Sequence, residues 1–206
     1  MTNTRIPIGR MLRSSTAGFT FGCSVPEPEV PTFGTFVKAP AQRGQTDVIG
    51  LIYDIVIQDD PFVRQMVAAP NLSEAYIEDQ RQNRQVPVEV SVLAVGYQNG
   101  VGMGGHAVRP YNYALPPQPP ITLDHIHQCA DDEVRAFTDR FDYFRLVLDS
   151  RDAPADELLA ASLKRAASAR PLQDRALFLT QAGRELARLM AADVVRLENL
   201  LRRIKP

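Results

Sequence analysis

The placement of proline and glycine constrains this chain more than any motif it carries. Fourteen of its sixteen prolines and eleven of its twelve glycines lie before Ala155. Proline fixes φ and removes a backbone donor, and glycine frees the backbone for turns and bulges. Long helices are therefore disfavoured where both are dense and favoured where both are scarce. Charge divides at the same point. Residues 1–154 carry 13 Lys and Arg against 18 Asp and Glu, a net of −5, and residues 155–206 carry 10 against 6, a net of +4. The expected organisation is a turn-rich, acidic domain over 1–153 followed by a basic helical region over 154–206.

With 206 residues, 45% of them hydrophobic, the chain can bury a sizeable core. A net charge of −1 excludes coating nucleic acid by bulk charge alone. No apolar run approaches the ~20 residues that span a bilayer, so no membrane insertion is expected. Met1 to Arg13 lacks the apolar segment of a signal peptide. Cys23 and Cys129 are the only cysteines. Two free thiols are expected in place of a disulfide framework, with a cytoplasmic location.

The first region reads as β-structure. Phe19–Cys23, Phe33–Val37 and Val48–Ile57 are apolar runs bordered or interrupted by Gly22, Gly34 and Gly50. Glycine within a strand marks a bulge or bend, which suits a small curled barrel. Val86, Val88, Val90 and Val92 alternate at period two, implying one buried and one wetter face. Between these strands, Asp60-Pro61 starts a helical insertion reaching to about residue 84. Arg109–Pro120 is a proline-constrained connection, and Ile121–Cys129 is the last barrel strand, with a short helix from about Asp131.

From Pro154 the pattern is helical. Leu158, Leu159 and Leu163 mark one helix to about Ala169, and Pro171 restarts the chain. The apolar set Leu179, Ala182, Leu186, Met190, Val194, Leu197, Leu201, Ile204 then steps by three or four, giving either one long helix or the arm of a hairpin. Six of these, Leu179, Leu186, Met190, Val194, Leu197 and Leu201, are the candidate interface for another subunit. Arg184, Arg188, Arg196, Arg202 and Arg203 are the candidate phosphate contacts if the chain binds nucleic acid.

Motifs for chemistry are weak. Gly100–Gly105 is followed by His106-Ala107, where a phosphate loop needs Lys and then Ser or Thr. His125, His127 and Cys129 alternate on one strand face, but no second ligand pair exists to complete a zinc site. No G-x-S-x-G elbow or H-E-x-x-H helix is present. No cofactor and no enzymatic activity are expected.

The runs Ile8-Gly9-Arg10-Met11, Phe19-Thr20-Phe21, Phe33-Gly34-Thr35-Phe36-Val37-Lys38 and Val48-Ile49-Gly50-Leu51-Ile52-Tyr53 resemble the strands of the HAS-barrel. This small barrel is shared by HerA-type DNA translocases and ATP synthase catalytic-core subunits. Residues 109–121 resemble the family's proline-rich approach to its closing strand, so the resemblance covers about residues 5–130. It implies a non-catalytic assembly element. The nucleotide-binding motifs that follow the barrel in those families are absent here, so ATP hydrolysis is not carried over. The sequence thus predicts an α+β protein: a small closed HAS-like barrel with a helical insertion, followed by a helical hairpin. It is expected to act as an interaction module that self-associates or docks on a protein partner. The alternative is an accessory nucleic-acid binder.

Overall fold

A computed structural model describes residues 7–25, 31–57, 68, 73–75, 86–99 and 110–205. The protein is α+β. Its strands are β1 (Pro7–Ser14), β2 (Gly18–Val25), β3 (Phe36–Ala41), β4 (Thr46–Ile57), β5 (Val86–Asn99) and β6 (His125–Gln128). They close into an antiparallel barrel in the order β1-β2-β5-β4-β3-β6, with short β6 bonded to both β1 and β3. The helical insertion expected near 60–84 lies almost wholly outside the described residues. So do the Gly100–Gly105 turn and His106.

Side-chain parity explains the strand sequences. Val88, Val90, Val92 and Ala94 of β5 fill the lumen together with Val37, Ala39 and Ala41 of β3 and Phe19 and Phe21 of β2. The residues between them on β5, Glu89 and Ser91, face outward and are half-buried. Strand β4 has no such alternation, because both its faces are covered. Val48 and Ile52 enter the lumen, while Ile49 and Leu51 enter a second core outside it. A strand buried on both faces reads as a continuous apolar run. At Gly50, beside a register shift, an added Cβ would lie 2.3 Å from Val92 Cγ1, so only glycine fits.

Strand β3 starts at Phe36, three residues later than its apolar run suggests. Gly34 takes a φ of +78°, in a turn where the Thr35 N–H donates to Thr32 O at 3.2 Å. This turn brings the barrel against the helices. A Cβ on Gly34 would sit 2.5 Å from the Cβ of Ala161.

The helices are α1 (Asp131–Phe137), α2 (Phe144–Leu148), α3 (Ala155–Ser168), α4 (Leu172–Leu189) and α5 (Val194–Ile204). They cover the outer faces of β3, β4 and β5. Phe36, Ile49, Leu51 and Val95 pack into one core with Phe137, Tyr143, Leu158, Leu159 and Leu163. Residues before and after position 154 contribute to this core. Among the described residues, no helix is long and apolar enough to cross a membrane.

The stretch from Leu172 to Ile204 is two helices rather than one of about 50 Å. The chain turns at Met190–Asp193, where the Asp193 N–H donates to Met190 O at 2.9 Å. Asp193 then caps α5, its carboxylate accepting from the Arg196 N–H at 3.0 Å. The helices fold back on each other, and Gly183 lets Leu201 approach: a Cβ there would meet Leu201 Cδ2 at 3.2 Å.

Candidate interaction surface

The fold-back of α5 on α4 decides where the sequence-predicted residues lie. Leu186, at 0% exposed, and Met190 are buried in the chain's own core, and Leu179, Leu197 and Leu201 are half-buried against it. Of the six, Val194 alone is exposed, at 66%. The candidate arginines meet carboxylates of the same chain. Arg196 holds Asp156 through Nε at 2.9 Å and Nη2 at 2.7 Å. Arg203 pairs with Glu157, and Arg202 with Glu198 at 2.6 Å. Arg188 grips Glu185 through two nitrogens, and this hydrogen bonding holds the Glu185 carboxyl below its ordinary range. Arg184 is exposed, with no carboxylate partner among the described residues.

The histidine strand is divided between environments. His125 is exposed, Ile126 points into the lumen, and His127 is half-buried beside Lys38 across the ladder. Cys129 lies under the helices, and the His125 and His127 rings are 6.4 Å apart. Among the described residues, no three His, Cys, Asp or Glu side chains come together to hold a metal ion.

Two surface features were not foreseen. The first is the turn Ile121–Asp124, between Pro120 and β6. Leu123 there has a φ of +66° and is 70% exposed. A left-handed backbone is uncommon in a non-glycine residue and costs about 1–3 kcal/mol. The turn is fixed from several sides. The Leu123 N–H donates to Met11 O at 3.0 Å and the Met11 N–H to Asp124 O at 2.9 Å, while Arg10 Nη1 donates to Leu123 O at 3.1 Å. Leu12, 51% exposed, lies on the adjoining strand over Gly22. The run Ile121-Thr122-Leu123-Asp124 has no glycine or asparagine to announce a left-handed residue, so it carries no sequence signal for this geometry.

The second feature is a cleft of about 270 Å³ where the β1–β2 turn, β4, β5 and the loop before α3 meet. Its wall includes Arg13, Tyr53, Ser91 and Asp152, and its lining includes the buried Phe19 and Val92. Arg13 is pinned by Glu89 at 2.6 Å and Thr20 at 3.2 Å. No metal-ligand or nucleophile pattern marks these residues in the sequence.

No family model matches the chain, and no curated protein matches it.

Proposed function

We propose that the chain is a non-catalytic assembly module built on a HAS-like barrel, recruiting a protein partner through the Ile121–Asp124 turn. Leu123 carries this reading. Its backbone strain is maintained by the hydrogen bonds to Met11 and from Arg10 around the turn, yet its side chain gives little back to the fold from its position in water. A leucine fixed in place before binding loses little entropy when it enters an apolar pocket, which is what a small interface anchor needs. The lumen, packed with Val, Ala, Ile, Met and Phe side chains among the described residues, supports a surface role. The docking surface is placed here and not on the carboxy-terminal stripe, because Leu186 and Met190 already spend their apolar surface within the chain. The nucleic-acid alternative is weakened by the intrachain ion pairs of Arg188, Arg196, Arg202 and Arg203.

Two measurements test the reading. A photo-cross-linking residue at 123 should capture a partner that the same residue at exposed position 172 does not. Leu123→Gly should keep the stability or raise it by up to about 1 kcal/mol, because glycine accepts a positive φ. The same variant should bind the captured partner about tenfold or more weakly. A clear loss of stability in Leu123→Gly would make Leu123 part of the fold's own packing. Identical cross-linking from positions 123 and 172 would also defeat the reading.

A further inference from the structure

We infer that the cleft beside Arg13 is a binding site for a small hydroxyl-bearing ammonium compound, with the amino sugars as the type. A fold irregularity builds it. In the β4–β5 ladder Ile52 pairs with Val92 and Asp54 with Ser91, so Tyr53 is the extra residue of a bulge. Bulges re-aim side chains and are over-represented beside functional sites. The opposite wall is the β1–β2 turn, locked by Ser15, whose hydroxyl accepts from the Ala17 and Gly18 N–H groups at 3.2 Å each.

The polar inventory sets the ligand class. Arg13 is already neutralised by Glu89 and held on its second side by Thr20. The Tyr53 hydroxyl, the Ser91 hydroxyl and the Asp152 carboxylate make no hydrogen bond or ion pair within the described residues, and all three line the one cleft. The unbalanced charge is therefore the Asp152 carboxylate, which favours an ammonium group and repels an anion. An aromatic ring at the same site adds attraction for a cation. The two hydroxyls donate to and accept from ligand hydroxyls, and Phe19 and Val92 provide apolar surface. The volume equals about nine water molecules, which suits a ligand of monosaccharide size.

The test uses the full chain, with amide NMR shifts read during titrations with glucosamine, glucose and gluconate. Glucosamine should shift amides of Gly18, Ser91 and Val92, with glucose about tenfold weaker and gluconate weaker still. Asp152→Asn, an exposed substitution that breaks no hydrogen bond or ion pair among the described residues, should weaken glucosamine about tenfold and leave glucose unchanged. Tyr53→Phe should weaken both sugars. Equal binding of glucosamine and glucose would overturn the inference. So would wild-type binding in Asp152→Asn, or glucosamine shifts that fall outside the cleft.

Discussion

The lumen of the barrel and the layer of helices outside it are two cores of different chemistry. The lumen is made of Val, Ala, Ile, Met and Phe side chains, and the closed ladder satisfies its backbone. The outer core is aromatic and laced with polar groups. Phe36, Phe137 and Tyr143 meet edge-on or tilted at 5.4–6.1 Å between centroids, and the Arg170 guanidinium lies 3.8 Å over Phe178. Helix ends account for the difference, because each leaves carbonyls without an intrahelical partner. Arginines supply them. Arg170 donates to Ala166 O and Arg135 O, Arg135 to Ala169 O, and Arg175 to Ser168 O and Arg170 O. Part of the positive charge of the carboxy-terminal region, at Arg170 and Arg175, is thus engaged in joining helices to one another.

Breaking the junction between the two cores should have the largest effect. Gly34 and Gly44 share a φ of +78°, but a Cβ at Gly44 meets nothing within 4 Å, whereas one at Gly34 runs into α3. Gly44→Ala should cost about 1–2 kcal/mol, the strain of a left-handed alanine. Gly34→Ala should cost a further 1–3 kcal/mol for overpacking against Ala161. Denaturant unfolding of both variants isolates the contact by difference. Equal losses would show that the helices accommodate the methyl group, and that the junction is looser than the backbone geometry implies.

The barrel was the legible half in the sequence, for a physical reason. Period-two alternation over Val86–Val92 and glycine-broken runs at Phe19–Cys23 and Val48–Ile57 are local signals, and ladder pairing preserves them. The stripe through Leu186 and Met190 was equally clear as helix, but helical periodicity does not say which surface covers it. The turn at Met190–Asp193 has an Asp as its cap and neither proline nor glycine to mark it. The surface features were not legible at all. Leu123 owes its conformation to contacts with Arg10 and Met11, more than 110 positions away. The cleft exists only once the β4 bulge sets Tyr53 beside a loop near position 152.

Alkaline titration sharpens the comparison, because the tyrosines of raised pKa border the outer core and not the lumen. Burial pushes the Tyr113 phenol up to about 12, with the nearby Arg140 guanidinium working in the opposite direction. Tyr111 and Tyr143 are raised as well, chiefly by burial. The folded state favours the neutral phenol. This contribution is complete below the ordinary tyrosine pKa of about 10 and is lost as pH rises from there towards 12. For half-buried Tyr113 the loss should be about 1 kcal/mol, discounted for solvent screening. Tyr113→Phe should flatten the decline above pH 10, while losing the hydrogen bond to Phe137 O at 2.8 Å under all conditions. An unchanged alkaline slope in this variant would assign the pH dependence elsewhere.

The smallest effect belongs to the outer rim of the helices, where charge is abundant but contributes little. Arg202 and Glu198 are spaced i, i+4 on α5 at 2.6 Å, with both side chains about two-thirds exposed. Such a pair contributes about 0.3–0.5 kcal/mol and fades as salt screens it. Arg202→Ala should therefore lower stability by no more than about 0.5 kcal/mol at low salt, and by less in high salt. The buried Leu186 on the facing helix should cost about 2–5 kcal/mol as alanine. A salt-insensitive loss of more than 1 kcal/mol in Arg202→Ala would mean that the rim pairs help to fasten α5. The same variant bears on nucleic-acid binding: if Arg202 contacts phosphate, its loss should reduce the salt dependence of binding by about one counterion. A binding curve without that change leaves Arg202 as a screened surface charge paired with Glu198.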